Sequence, residues 1–353
     1  MSVSASAFAA DVPATDKGAA AGKGIGASKL VVDGSIFCPT YIADGTVYTR
    51  SVTNMPLAPN SAEIAKYMPT LPAKHNSKNI STFLNVSAGV PIYIVNSKDP
   101  KTPRVTVTCP AFRKPSPSLR NVLFSNDIPL PAYAQPSPSS DGHLFLYDIG
   151  TDIIREYFLM KKEKDGSWCA SWGGYYEHMS TLAKDNYACQ LTEGSAFVVA
   201  MIGGPGLIGI EEARHGEIRH AVGFLVANAR KGVVSWPAKG SDGVDTDPNA
   251  PSQGQWFRLP PSLNLDGLKL RPATKLIAKA VQKYGGFARD RTLGCHMFCG
   301  ESGFVEKQRT GVDPWTKGGD LYATYKIAKN NYDVSDFPWH LTEWAPVDWG
   351  KPQ

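Results

Sequence analysis

Gly142-His143-Leu144-Phe145-Leu146-Tyr147-Asp148, then Ile153-Ile154-Arg155-Glu156-Tyr157-Phe158-Leu159-Met160, then Trp168-Cys169-Ala170-Ser171-Trp172-Gly173-Gly174-Tyr175-Tyr176 run in succession through the middle of the chain. Each run is rich in aromatic and β-branched residues and is bounded by turn residues, the pattern of strands that pack a pleated face. Asp165-Gly166 supplies the positive-φ position that a tight hairpin needs between the second and third. Ala196 to Ile202 and Ile218 to Asn228 extend the series to five predicted strands. Consecutive hairpins build an antiparallel sheet, so the expected fold is mostly β: an antiparallel β-sandwich, jelly-roll-like, with a few short helices.

Working outward, short strands are expected at Lys29 to Val32, Ser35 to Cys38, Thr46 to Val52, Val90 to Asn96 and Arg104 to Cys109. Asn60 can cap a brief helix from Ser61 to Met68, with Glu63 placed for a capping box. Pro69 to Lys78 reads as a linker, and Pro110 to Ser140, dense in Pro and Ser, as a long loop of the kind that walls a binding site. Ile210 to His215 is a short helix stopped by Gly216. In Arg271 to Tyr284, Leu276, Ile277, Ala280, Val281 and Tyr284 share one helical face. Residues 1–26 are expected to be a leader or signal remnant. Residues 27–353 are expected to be one large β-rich domain with a possible N-terminal subdomain over 27–110.

The 353 residues are 42% hydrophobic and 20% charged, enough apolar side chain for a large core, and Gly 33 with Pro 27 suits many strands joined by turns. A net charge of +5 is a mild excess, and its densest run, Lys161 to Lys164, is interrupted by Glu163. That run reads as a solvated hairpin tip, so no nucleic-acid partner is expected. No apolar stretch approaches the roughly 18 residues of a membrane helix, so no membrane span is expected. The composition fixes no oligomeric state.

The cysteines, Cys38, Cys109, Cys169, Cys189, Cys295 and Cys299, are six and dispersed, without the two close pairs of a zinc site. Disulfides in a secreted, extracellular protein are the expected use, with Cys295–Cys299 and Cys169–Cys189 as candidate bonds.

Alternation along strands places three ionisable residues on apolar faces. His143 leads Phe145 and Tyr147; Glu156 is in phase with Phe158 and Met160; His220 is in phase with Val222, Phe224 and Val226. Polar groups there are costly unless they satisfy one another or form a site. Glycan hydrolysis needs a second carboxylate, for which Glu211, Glu212, Glu217, Asp148 and Asp290 are candidates. A lyase would instead use Arg219 to neutralise a uronate and His220, Tyr175 or Tyr176 as base. Trp168, Trp172, Tyr175, Tyr176 and Trp236 could stack on sugar rings, or could be core. No phosphate loop and no Gly-x-Ser-x-Gly elbow is present, and the sequence calls for no cofactor. The expected function is a secreted carbohydrate-active enzyme, a glycoside hydrolase or polysaccharide lyase, centred on His143, Glu156 and His220. The first alternative is a non-catalytic glycan-binding or adhesin module. The second is a metal-dependent enzyme using the same residues as a two-histidine, one-carboxylate site.

The order of segments Pro56-Leu57-Ala58-Pro59-Asn60-Ser61, Gly89-Val90-Pro91-Ile92, Asp141-Gly142-His143, Arg155-Glu156-Tyr157, Gly216-Glu217-Ile218-Arg219-His220-Ala221, Trp236-Pro237-Ala238, Tyr284-Gly285-Gly286 and Asp290 resembles a widespread, largely uncharacterised set of secreted bacterial proteins. The resemblance covers about two-thirds of the chain. It implies a secreted, β-rich protein.

Overall fold

The computed structural model describes residues 31–32, 35–36, 46–74, 80–109, 114–179, 193–292, 294–325 and 331–351. Strands dominate, in several sheets, and the helices are few and short, the longest being Pro272–Tyr284. Two sheets carry the architecture. Their strands in chain order are β1 (Thr82–Val90), β2 (Ile92–Val95), β3 (Leu144–Asp148), β4 (Ile153–Phe158), β5 (Trp172–Glu177), β6 (Glu193–Gly194), β7 (Val222–Val226), β8 (Trp256–Arg258), β9 (Gly286–Arg291), β10 (His296–Glu301), β11 (Asn331–Asp333) and β12 (Glu343–Trp344).

The five-stranded sheet has the order β6-β5-β4-β3-β2, and the seven-stranded sheet β11-β1-β10-β7-β9-β8-β12. β1 and β2 are separated only by Pro91, so one stretch of chain belongs to both sheets. At this crossing the Val90 carbonyl accepts from Ser302 N at 3.1 Å and the Pro91 carbonyl from Phe145 N at 3.1 Å. Gly89 is needed here, because a Cβ would stand 2.6 Å from the Gly300 carbonyl oxygen.

The sheets are mixed, where the hairpin pattern predicts antiparallel pairing throughout. β3-β4-β5 are antiparallel as expected, but β2 runs parallel to β3, β1 to β10 and β7 to β9. Parallel neighbours need long crossovers, and the connections supply them. The Pro-rich stretch between β2 and β3 contains the helix Pro117–Leu123, capped by Ser116 Oγ accepting from Leu119 N at 3.1 Å. The connection between β7 and β9 contains Pro272–Tyr284.

Alternation sorts the core into layers. On β3, Leu144 and Leu146 face the cluster that includes Leu119 and Leu123, while Phe145 and Tyr147 face the other way. On β9, Ala288 joins the cluster under Pro272–Tyr284, with Leu276, Ile277, Ala280 and Val281, while Phe287 faces the other way. The opposite faces meet: Phe145, Tyr147, Ile154 and Tyr176 from one sheet share a buried cluster with Trp256, Phe287 and Cys299 from the other. Strands buried on both sides read as nearly continuous apolar runs, as Leu144 to Tyr147 does.

Several local expectations change. Thr46 to Val52 and Ala196 to Ile202 form turns and bends, the second with Ala200 at φ 54°. Trp168 to Tyr176 divides between two sheets: Trp168–Cys169 pairs with Lys161–Lys162 across the Asp165-Gly166 turn and with Val107–Thr108, and only Trp172–Glu177 joins β4. Asn60 gives its helix no side-chain cap; its amide donates to the Pro248 carbonyl instead. No described helix is long and apolar enough to cross a membrane.

Of the described cysteines, Cys169, Cys295 and Cys299 are free thiols. Cys295 and Cys299 cannot bridge as expected, since Cys299 lies in β10 and four extended residues span about 13 Å, against at most ~7 Å between bonded Cα atoms. Cys169 Sγ donates instead to Glu163 Oε1 at 2.9 Å. Cys38 and Cys189 lie outside the described residues. Titration of the protein in guanidinium without reductant is expected to find at least three thiols per chain, those of Cys169, Cys295 and Cys299; two or fewer would contradict the structure.

Candidate functional site

Glu156 sits on β4 opposite Phe145 of β3, on the face turned toward the other sheet. It is completely buried. Its Oε1 accepts from the backbone amides of Gly203 at 2.7 Å and Gly204 at 3.2 Å, while Oε2 is sealed from solvent without a partner. Glycine at 203 is what lets the amide come so close: a Cβ there would lie 2.4 Å from the Phe197 ring and 2.7 Å from that of Phe145. Burial pushes the carboxyl up to about 8, against the opposing pull of the two amides and of Arg289. Glu156 therefore holds a proton at neutral pH.

Arg289 reaches the same place from β9 of the seven-stranded sheet. It is buried, its Nη1 donates to the Gly203 carbonyl at 3.0 Å, its Nε has no partner, and its guanidinium stands 4.8 Å from the centre of the Phe197 ring. This cation acts electrostatically on Glu156, His143, Asp290 and Cys299 together. It was not singled out in the sequence because an arginine in a strand is ordinarily solvated; its phase with Phe287 was the available signal.

His143 precedes β3 on the same face as Glu156. Its Nδ1 lies 3.3 Å from the Tyr157 carbonyl and its ring stacks on Phe197 at 4.6 Å. Nε2 is 4.0 Å from Asp141 Oδ2, beyond hydrogen-bond length. Burial pulls its pKa down to about 4, so the imidazole is neutral and Nδ1 donates. Asp290, next to Arg289, accepts from Arg291 N at 2.8 Å and from Gln253 Nε2 at 3.4 Å, and burial pushes it up to about 6. A buried acid, a neutral histidine, a second raised carboxyl and one shared cation thus gather between the sheets.

His220 belongs to a different network. The strand begins only at Val222, and His220 lies in the turn before it. Its Nε2 meets Glu212 Oε2 at 3.1 Å and its Nδ1 the Ala221 carbonyl at 2.7 Å, both residues fully buried. Glu212 also accepts from Gly209 N at 3.0 Å and Arg219 N at 3.2 Å, tying the start of the helix Ile210–His215 to the chain that follows its left-handed Gly216 end. Burial alone would lower the His220 pKa, but the Glu212 carboxylate outweighs it and the net shift is upward. The pair is a structural clasp. His220 has both ring nitrogens engaged there, so the expected two-histidine, one-carboxylate set is not assembled; among the described residues no group of three or more His, Cys, Asp or Glu is placed to hold a metal ion.

The remaining candidates are mostly structural. Glu217 and Arg219 form a half-exposed ion pair at 3.0 Å. Glu211 pairs with Arg214, which also binds Glu306 and Asp320. Asp148 accepts from Ser97 N, Gly150 N and Thr151 Oγ1. Trp168 and Tyr175 are buried in the outer cluster under Pro117–Leu123, and Tyr176 and Trp236 in the cluster between the sheets. Only Trp172 of the five expected sugar platforms is less than fully buried. Comparison of the chain with protein-family models, curated proteins and solved structures gave no match.

Two outcomes follow. The unfolded Glu156 carboxyl ionises near pH 4.3 while the folded one keeps its proton to about 8, so its contribution to stability is lost as pH rises between those values. Denaturant titrations across this range are expected to show Glu156→Gln gaining on the wild type by a few kcal/mol toward pH 9; a pH-independent difference would contradict the buried, protonated carboxyl. His220→Ala leaves the Glu212 carboxylate buried and unpaired, and is expected to cost about 3–5 kcal/mol in the same measurement.

Proposed function

We propose that the protein is a secreted carbohydrate-active enzyme that hydrolyses a polysaccharide, with Glu156 as proton-donating acid and Asp290 as its carboxylate partner. The observation that carries this reading is Glu156 itself: one oxygen fixed by two amides, the other unpartnered, the group sealed from water and still protonated at neutral pH. Cleavage of a glycosidic bond needs such an acid beside a second carboxyl that ionises at lower pH, and Asp290, which burial pushes only to about 6, is such a carboxyl. Arg289, felt by both, favours the ionised form of each. The two mixed sheets with their shared inner layer are read as a β-sandwich. Secretion is supported by the segment-order resemblance alone, because Cys169, Cys295 and Cys299 contribute no disulfide.

Hydrolysis is preferred over elimination. Arg219 is paired with Glu217 at the surface, His220 is clasped by Glu212, and Tyr175 and Tyr176 are buried in opposite clusters, so the neutraliser and base of a lyase do not face one place. A glycan-binding module drew its support from aromatic platforms, of which four are buried.

The test is reducing-end release from a panel of neutral and uronate-containing polysaccharides. Turnover is expected to follow a bell in kcat/KM with limbs near pH 6 and pH 8, and Glu156→Gln is expected to lower kcat by about 10²- to 10⁴-fold. Release accompanied by unsaturated product would show a lyase, and turnover untouched in Glu156→Gln would remove the assignment.

A further inference from the structure

Away from Glu156, a second cation, half-buried, stands without a counter-charge among the described residues. The Arg50 guanidinium lies 3.8 Å from the centre of the Trp349 ring and 5.6 Å from that of Trp256, and the two indoles meet edge to face at 5.7 Å. Arg50 Nε and Nη2 are closed to solvent and have no hydrogen-bond partner among the described residues; the same is true of Trp256 Nε1, on a side chain that is fully buried. All three atoms can only donate. Nε and Nη2 form one edge of the guanidinium, with two parallel N–H bonds that match the two oxygens of a carboxylate. Leaving three donors and a positive charge unanswered in an apolar site is costly. Burial without a neighbouring anion also lowers the pKa of Arg50 to about 10.

What completes such a group must accept hydrogen bonds and carry negative charge. The parallel pair of N–H bonds on the Nε/Nη2 edge matches the two oxygens of a carboxylate in one plane. We propose that the Nε/Nη2 edge of Arg50, with Trp256 Nε1, binds a carboxylate. Trp256 stacks on Phe287 at 5.3 Å, and Phe287 lies two residues before Arg289 on the same face of β9, so the carboxylate site shares the inner layer with Glu156 while using none of its residues. It stands whether or not the chain cleaves glycans.

The test compares sodium acetate, sodium glucuronate and sodium phosphate with sodium chloride at equal ionic strength, reading the melting temperature and the indole N–H resonance that disappears in Trp256→Phe. Acetate is expected to raise the melting temperature by several degrees beyond chloride and to move that resonance. A response to both carboxylates assigns the bare group, and a response to glucuronate alone assigns a sugar acid; either supports the site. Arg50→Met, which removes the unpaired charge and keeps apolar volume against Trp349, is expected to abolish the response. Arg50→Lys, which keeps the charge and loses the two-bond edge, is expected to weaken binding about tenfold or more. An undiminished response in either variant, a response to phosphate without one to acetate, or no response to any carboxylate in the wild type would overturn the proposal.

Discussion

The crossing at Pro91 is the constraint on which the rest of the structure depends. A single run from Thr82 to Val95 enters the seven-stranded sheet, turns at a residue with no amide hydrogen, and continues as the edge of the five-stranded sheet. The backbone groups flanking the turn are satisfied from both sides, by Ser302 and by Phe145. Because the two sheets are thus joined covalently at one corner, their inner faces are brought together, and a shared apolar layer follows. The electrostatics of that layer are then decided by which polar side chains are admitted to it.

Few are. Glu156 and Arg289 enter from opposite sheets and meet at the Gly203–Gly204 peptide, the acid accepting from its N–H (Gly204 N, 3.2 Å) and the cation donating to its carbonyl (Gly203 O, 3.0 Å). One peptide unit bonded at both ends by buried ionisable groups fixes the relative position of the sheets more sharply than apolar packing alone, since a hydrogen bond is directional and burial is not. Phe197 closes the layer over Arg289 and His143. The same environment that keeps Glu156 protonated keeps His143 neutral, because desolvation disfavours the charged form of each.

Much of this was legible in the chain and some was not, for identifiable reasons. Leu144 to Tyr147 and Ile153 to Phe158 read correctly because a two-residue period is a local property, and it placed His143 and Glu156 on one face. The helix Pro272–Tyr284 read correctly because its apolar stripe and Gly285 end are also local. Strand direction is not local: nothing in β2 or β3 announces that they run parallel. His220 was misplaced because its phase with Val222 looked like a strand, whereas Gly216 and Glu212 hold it in a turn. Arg289 was missed because its burial is conferred by the opposite sheet. Trp168 and Trp236 read as core more readily than as platforms, with both uses open in the sequence, and tertiary packing decides for core.

The parallel pairing of β1 with β10 sets Thr82 beside His296 and Leu84 beside Phe298, near opposite ends of the chain. The β1–β10 ladder of the larger sheet therefore cannot close until most of the polypeptide is present, whereas the β3-β4-β5 meander needs only its own neighbourhood. Loops of such length are slow to close, and contacts between distant segments set the pace of folding. On this topology the meander acquires its structure early, and the layer between the sheets, with Glu156 in it, is sealed last.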